Sequence, residues 1–447
     1  MTNEKYGLIG KTLVHSYSKE IHEALGRYQY QLFSLAEDEM LDFINARDFR
    51  GLNVTIPYKK DVIPLCDEVT DLARGIGAVN TLFWKNASGT GSSESISQED
   101  KILVGHNTDY EGFLYAASRA GIDFEGKGVL ILGTGGTSLM ARRAAADQNA
   151  TKIYIASRHP ETDPPSGSEI QDAGILSTVS YDQLPEIADS IDVIVNTTPV
   201  GTFPNNMQQL IRLKDFPGCQ AVIDVIYNPF KTALLLEAEK LGLKYTNGLP
   251  MLVAQATAAA GYFLGTPGAF QKENQRIIKS MKQQMGNIVL IGMPGTGKSI
   301  IGKLLAELTG KTLQDTDAKI EEEAKMTIPE IFEKEGEAGF RDREAAICKK
   351  LGKERNLIIA TGGGAILRPE NVDALRQNGT LVHITRSIDK LPTRGRPLSK
   401  NIETLKKMEA QRMPLYKAAA DITFRNNYTC SRKKLRQRVN TYILEKL

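Results

Sequence analysis

VLILGTGGTSLMARRAA (129–145) and IVLIGMPGTGKSIIGKLLAEL (288–308) decide the fold. Each is a short aliphatic run that ends in a glycine-rich turn and passes at once into apolar residues at helical spacing. Glycine in such a turn lets backbone N–H groups approach a phosphate at the N-terminus of the following helix. One phosphate-binding turn per domain is the usual arrangement, so the chain reads as having two nucleotide sites. Working outward, short apolar runs at 153–156, 193–195, 221–226, 357–360 and 381–384 alternate with longer helical patterns. That alternation predicts an α/β protein with parallel sheets.

A chain of 447 residues exceeds what one hydrophobic core usually serves, which favours two or three domains. Its 41% apolar and 24% charged content is that of an ordinary globular protein, and a formal charge of +3 gives no general attraction to nucleic acid or membrane. Cys66, Cys219, Cys348 and Cys430 lie too far apart for a zinc-ligand pattern and read as reduced thiols. The start MTNEKYGLIG has no basic stretch followed by an apolar run, and no long apolar segment occurs, so a cytoplasmic location is expected. QKENQRIIKSMKQQMG (271–286) is polar and basic, with a few apolar residues at helical spacing and no proline, and is taken to hold the boundary between the halves. The Ser- and Gly-rich stretch 86–101 reads as a hairpin loop between the strand-like TLFW and ILVG.

In the first half, Gly133, Gly135 and Gly136 form the turn, with Ala141 as the small residue that allows close helix packing. The next strand ends in Ser157-Arg158 where an acidic residue would hold a free ribose hydroxyl; Arg158 instead suits an added phosphate, favouring NADP over NAD. Six motifs follow in order: HSYS (15–18), NVTIPYK (53–59), GAVNT (77–81), NTDYEG (107–112), DVIYNPFKT (224–232) and NGLPMLVAQA (247–256). Over nearly all of residues 1–270 this series resembles the shikimate dehydrogenase family. The resemblance implies an NADPH-dependent ketone reduction with Lys59 and Asp109 as the catalytic pair. It assigns Ser16, Ser18 and Tyr227 to the substrate carboxylate, and Thr55, Asn80, Asp109 and Gln255 to the ring hydroxyls and ketone. The cofactor falls to Gly133, Thr134, Gly135, Gly136, Thr137, Ser157, Arg158, Thr197, Val225 and Gly248. The chain departs from the family pattern at Lys19, where proline is usual, and at His159, where threonine is common.

In the second half, GMPGTGKS (292–299) sits between a strand and a helix, the setting in which a phosphate loop is credible. Backbone from Gly295, Thr296, Gly297, Lys298, Ser299 and Ile300 should cradle ATP phosphates, with Lys298 reaching the β and γ oxygens and Ser299 on Mg²⁺. DTD (315–317), FRDRE (340–344), TGGGA (361–365), RPL (396–398) and QRMPLY (411–416) make residues 287–425 resemble the shikimate kinase family. By that resemblance Asp315 serves Mg²⁺, Asp317 takes the acceptor hydroxyl, and Arg341 and Arg412 clamp the carboxylate. Gly362, Gly363 and Gly364 let the ring lie against backbone, Arg396 on a short lid meets the transferring phosphoryl group, and Arg425 stacks on adenine. SRKKLRQR near the terminus looks basic enough for nucleic acid, but Leu435, Val439, Tyr442 and Ile443 interleave at helical spacing and read as a packed amphipathic helix.

The expected architecture is a substrate domain (1–110 with 240–275), a Rossmann-type NADP domain (111–239), a linker (276–286) and a P-loop domain resembling nucleoside monophosphate kinases (287–447). The expected function is reduction of 3-dehydroshikimate to shikimate followed by its phosphorylation. The alternatives are a broad-specificity quinate dehydrogenase joined to the kinase, opposed by Ser16 and Arg158, and a ligand-sensing protein with one inactive half, opposed by Lys59, Asp109, Lys298, Asp315 and Asp317.

Overall fold

The computed structural model describes residues 5–13, 16–86, 101–162, 174–391, 402–427 and 431–447. It divides into two compact units, one of residues 1–202 and 208–280, the other of residues 203–207 and 281–447.

The first unit contains two six-stranded sheets. β1 (Tyr6–Gly10), β2 (Tyr30–Ser34), β3 (Gly51–Val54), β4 (Glu68–Val69), β5 (Thr81–Asn86) and β6 (Lys101–His106) form a mixed sheet in the order β2-β1-β3-β5-β6-β4. β5 runs antiparallel to both neighbours, and its pairing with β6 is the hairpin expected around 86–101. β7 (Gly128–Leu132), β8 (Lys152–Ser157), β9 (Leu176–Ser180), β10 (Val193–Asn196), β11 (Ala221–Asp224) and β12 (Lys244–Thr246) form a parallel sheet in the order β12-β11-β10-β7-β8-β9. Counted from β7, this is the Rossmann order, with its switch point between β7 and β10. Val129, Ile131, Val193 and Val195 pack on one face, and Leu130, Leu132 and Ile194 on the other. Burial on both faces is why these strands read as unbroken apolar runs.

The second unit is a parallel sheet of β13 (Asn287–Ile291), β14 (Thr312–Asp315), β15 (Leu357–Ala360), β16 (Gly379–Thr385) and β17 (Ile422–Arg425), ordered β14-β15-β13-β16-β17. Val289 and Ile291 enter one core, Ile288 and Leu290 the other. β13 lies in the middle, so its C-terminal turn opens where strands diverge to either side.

Three expectations need correction. The Rossmann sheet does not end by residue 239, because β12 pairs with β11 through Lys244–Thr246; KYT is too short and polar to stand out as a strand. The linker expected at 276–286 is part of a helix, Asn274–Met285, whose Ile277, Ile278, Met281 and Met285 are buried. At the terminus, Arg432–Tyr442 is the amphipathic helix, and Val439 and Ile443 are buried, but Tyr442 points to solvent. Cys66, Cys219 and Cys348 are unpaired thiols; Cys430 lies outside the described residues. No described helix is long and apolar enough to cross a membrane.

Candidate active sites

Asp109 opens the helix Asp109–Arg119, where its backbone N–H donates to Asn107 Oδ1 at 3.1 Å. Lys59 comes from the turn after β3 and donates from Nζ to Asp109 Oδ2 at 2.5 Å, joining residues 50 positions apart. Both side chains remain partly open to solvent, at 24% and 18% exposure, so the pair is reachable by a ligand. The surrounding motifs are knitted by backbone bonds: Val54 N–H donates to Asn80 O at 2.8 Å, and Val79 N–H to Lys59 O at 2.8 Å.

Asn80 is buried, and its Oδ1 accepts from Thr108 N–H at 2.7 Å, Thr81 Oγ1 at 2.9 Å and Thr108 Oγ1 at 3.2 Å. That oxygen is fully used, which leaves the Nδ2 amide as the group Asn80 can offer a ligand. Ser18 N–H donates to Ser16 Oγ at 3.3 Å, and the Tyr17 ring meets the Tyr227 ring edge-on at 6.1 Å, which brings residues 16–18 beside Tyr227. Thr55 N–H is anchored on Ile9 O at 2.9 Å. Gln255 donates Nε2 back to Leu252 O at 2.9 Å, which leaves its second N–H and its carbonyl for a ligand.

The turn after β7 fits a pyrophosphate. Gly133 has φ +103°, and a Cβ there would lie 2.8 Å from Thr198 Cγ2. A Cβ at Gly135 or Gly136 would meet nothing, so the N-terminus of the helix Gly136–Asp147 faces open space beside Thr134 and Thr137. Thr197 Oγ1 donates to Leu132 O at 2.7 Å and closes the turn from β10. Ser157 is buried, its Oγ accepting from His159 N–H at 2.9 Å, while Arg158 is exposed at the end of β8. Val225 and Gly248 touch so closely that a Cβ on Gly248 would come within 1.9 Å of Val225 O.

Beneath these loops lies a group the sequence reading passed over. Asp224 has no exposure and accepts from Thr232 Oγ1 at 2.6 Å, Ile226 N–H at 3.1 Å and Asn196 Nδ2 at 3.1 Å. Burial outweighs these three donors and pushes its carboxyl up to about 6.

In the second unit, Gly292, Gly295 and Gly297 all have positive φ, at +145°, +85° and +95°. The helix Lys298–Thr309 follows. Lys298 Nζ donates to Gly292 O at 2.8 Å and Met293 O at 3.1 Å, curling over the loop it serves. Thr296 is buried with Oγ1 donating to Met293 O, whereas Ile300 is exposed and lines the cavity beside this loop. Ser299 Oγ donates to Asp315 Oδ2 at 3.2 Å. These adjacent hard oxygens suit Mg²⁺, which characteristically takes one or two protein oxygens and fills its shell with phosphates and water. Among the described residues no cluster of three or more His, Cys, Asp or Glu offers an all-protein metal cage.

A cavity of about 640 Å³ joins this loop to Asp317, Arg341, Glu344 and Arg412. Asp317 N–H caps onto Asp315 Oδ1 at 3.1 Å, while Asp317 Oδ1 is buried without a partner among the described residues. Burial first, then the charges of Asp315 and Glu344, push Asp317 up to about 6. Arg341 NH1 donates to Glu344 Oε2 at 2.8 Å; Arg412 NH1 and Tyr416 Oη both donate to Gly363 O, at 2.9 and 2.6 Å. The three glycines are explained by neighbours. A Cβ would strike Asp317 Oδ1 at Gly362 (2.6 Å), Pro294 Cδ at Gly363 (2.7 Å) and Arg341 NH1 at Gly364 (2.2 Å). Glu344, wholly buried with Oε1 unpartnered, was missed; its place three residues after Arg341 on one helix was the available signal. Arg396 lies outside the described residues. Arg425 is exposed on β17, and its carbonyl accepts from Arg438 NH2 at 2.8 Å.

Fold and sites together define a Rossmann-type oxidoreductase in the first unit and a P-loop phosphotransferase in the second. Residues 8–82 match the family model of the shikimate dehydrogenase substrate binding domain, and residues 294–447 match that of shikimate kinase. Shikimate dehydrogenase (NADP(+)) of Caldicellulosiruptor bescii is 36% identical over 268 residues, spanning 57% of this chain and 88% of the relative. A chorismate mutase/shikimate 5-dehydrogenase fusion protein from Clostridium acetobutylicum matches with a TM-score of 0.54 at 32% identity, over 63% of this chain and 98% of its own. Shikimate 5-dehydrogenase from Thermus thermophilus, solved with NADP(H) and shikimate, matches with a TM-score of 0.50 at 28% identity, over 62% of this chain and 99% of its own. The chain belongs to the shikimate dehydrogenase family through its first unit and carries a shikimate kinase domain as its second.

Proposed function

We propose that the chain reduces 3-dehydroshikimate to shikimate with NADPH at one site and phosphorylates the 3-hydroxyl of shikimate with ATP at the other. The observation that carries the first step is the Lys59–Asp109 pair, reachable by solvent in a unit that also holds a dinucleotide turn. Bound nicotinamide supplies the hydride. Lys59 stabilises the oxygen as negative charge grows on it and delivers its Nζ proton there, while Asp109 holds the ammonium in position. Ser16, Ser18 and Tyr227 hold the carboxylate, and Thr55, the Asn80 amide and Gln255 orient the ring. Thr134, Thr137, Thr197, Val225, Gly248 and the three turn glycines would hold the dinucleotide, with Ser157 and Arg158 on its added phosphate.

For the second step, the cavity that unites the phosphate loop with Asp317, Arg341 and Arg412 carries the reading. Arg341 and Arg412 fix the acid by its carboxylate, a role that suits forked guanidinium groups. Asp317 accepts the proton of the attacking hydroxyl as the new oxygen–phosphorus bond forms, and ADP departs with the electron pair of the broken one. Ser299 and Asp315 would carry Mg²⁺, and Arg396 and Arg425 would complete the nucleotide site. A cytoplasmic setting accords with the unpaired thiols of Cys66, Cys219 and Cys348. Incubation with 3-dehydroshikimate, NADPH, ATP and Mg²⁺ should yield shikimate 3-phosphate, and shikimate alone when ATP is omitted; no NADPH oxidation, or no phosphorylation of added shikimate, would overturn the corresponding half.

A further inference from the structure

Arg386 follows directly on β16, which pairs with β13 so that His383 lies opposite Ile291. The Ile384 carbonyl occupies the space that a side chain on Gly292 would need, 2.3 Å from its Cβ position, so the chain leaving β16 runs against the phosphate loop. Two neighbours of β17 fasten it there. Asn426 N–H donates to Thr385 O at 2.7 Å, and its Nδ2 donates onward to Thr296 O at 2.8 Å. Ser387 N–H donates to Asn427 Oδ1 at 2.7 Å. Arg386 is therefore mounted on backbone tied to the phosphate loop itself.

Its side chain lines the same cavity as Gly295, Lys298, Asp317 and Arg412. Unlike Arg341, held by Glu344 and Glu337, and Arg412, held by Gly363 O, it makes no hydrogen bond or ion pair with a described residue, and its Nε is buried. A guanidinium set in the wall of a cavity, with Nε already out of water and no carboxylate paired to it among the described residues, is placed to meet an anionic ligand. The acid's carboxylate is already matched by Arg341 and Arg412, and the inner phosphates by loop N–H groups. What remains for Arg386 is the phosphoryl group that moves, which Lys298 and Arg396 are also read to meet.

We propose that Arg386 contacts the oxygens of the transferable phosphoryl group, from the terminal phosphate of ATP through to the phosphate ester, as a fixed arginine of the kinase site. This rests on the kinase reading. Arg386 neither gains nor loses a proton; it neutralises charge that the transfer spreads over the equatorial oxygens while the acceptor's proton goes to Asp317.

The test uses the full chain with Arg386→Met, which removes the charge, and Arg386→Lys. Calorimetry with Mg²⁺ compares β,γ-imido-ATP with ADP, and dehydrogenase turnover on the same samples checks that the preparation is intact. Arg386→Met should weaken imido-ATP by about tenfold or more and leave ADP within about twofold, because only the former carries the contacted group. Kinase kcat should fall by about 10²-fold or more, with KM for shikimate within about threefold and partial recovery in Arg386→Lys. Equal losses for both nucleotides would reduce Arg386 to a support of the loop. A raised KM for shikimate with imido-ATP binding intact would assign it to the acceptor, and unchanged affinity and kcat would remove it from the site; each overturns the proposal. Wild-type turnover is measured first: its absence refutes the kinase reading, whereas the nucleotide affinities test Arg386 by themselves.

Discussion

At the scale of single residues, the short Lys59–Asp109 contact sets what each half of the pair can do. Lys59→Ala should lower reductase kcat by about 10²-fold or more while NADPH affinity stays nearly unchanged, since it removes a proton delivered only in the transition state. A variant keeping more than about a third of wild-type turnover would unseat Lys59 from that role. Asp224 gives a prediction about stability. Burial holds its proton on up to about 6, above the ordinary carboxyl range, so between these values the folded state keeps a proton that the unfolded chain releases. The stabilisation this supplies is complete below the unfolded pKa and is lost as pH rises through the folded one. Asp224→Asn lacks that loss, so the stability gap between variant and parent should change in the variant's favour by roughly 1–3 kcal/mol from pH 4 to 7. Trp84, the single tryptophan, lies in the same unit and reports its urea unfolding. An equal gap at both ends of the range would mean that Asp224 titrates as an ordinary carboxylate.

At the scale of elements, glycines decide how closely helices and loops may approach. The helices Asp109–Arg119 and Gly248–Phe263 cross at Gly112, where a Cβ would lie 2.6 Å from Met251 O and 3.0 Å from Gln255 Cβ. Gly112→Ala must therefore push the helices apart, at a cost of roughly 1–3 kcal/mol. Because Asp109 and Gln255 ride on those two helices, reductase kcat/KM should fall along with the urea midpoint. An unchanged midpoint would show slack at this crossing. The motif NTDYEG contains Gly112, yet nothing local distinguishes it from a turn glycine; its role depends on a helix that begins more than a hundred residues later.

At the scale of the molecule, the residues proposed for each reaction belong to a single half of the chain, so the activities should separate. Lys298→Ala should abolish phosphorylation and spare the reductase, the reverse of Lys59→Ala. Division of the chain has to respect the helix Asn274–Met285, whose Ile277, Ile278, Met281 and Met285 are buried. Fragments 1–285 and 274–447, which both keep that helix, should each fold and retain at least about half of the parent kcat, since domains generally carry their own cores. A soluble but inactive fragment would show that one half depends on the other.

The sequence by itself determined the two strand–turn–helix units, the seven parallel strands flagged by apolar runs, and the order of motifs around both sites. These are local signals: a phosphate cradle needs glycine at fixed spacing, and a strand buried on both faces needs consecutive apolar residues. Short or polar strands such as β4 and β12 escaped, because their pairing comes from neighbours and not from their own composition. Only the tertiary structure decided which functional groups lack partners. Asp317, Glu344 and Arg386 each bury a polar atom that no other described residue satisfies, and Gly364 is glycine because Arg341 lies across it. Whether a buried charge is paired depends on contacts made far along the chain, and it is folding that brings those contacts together.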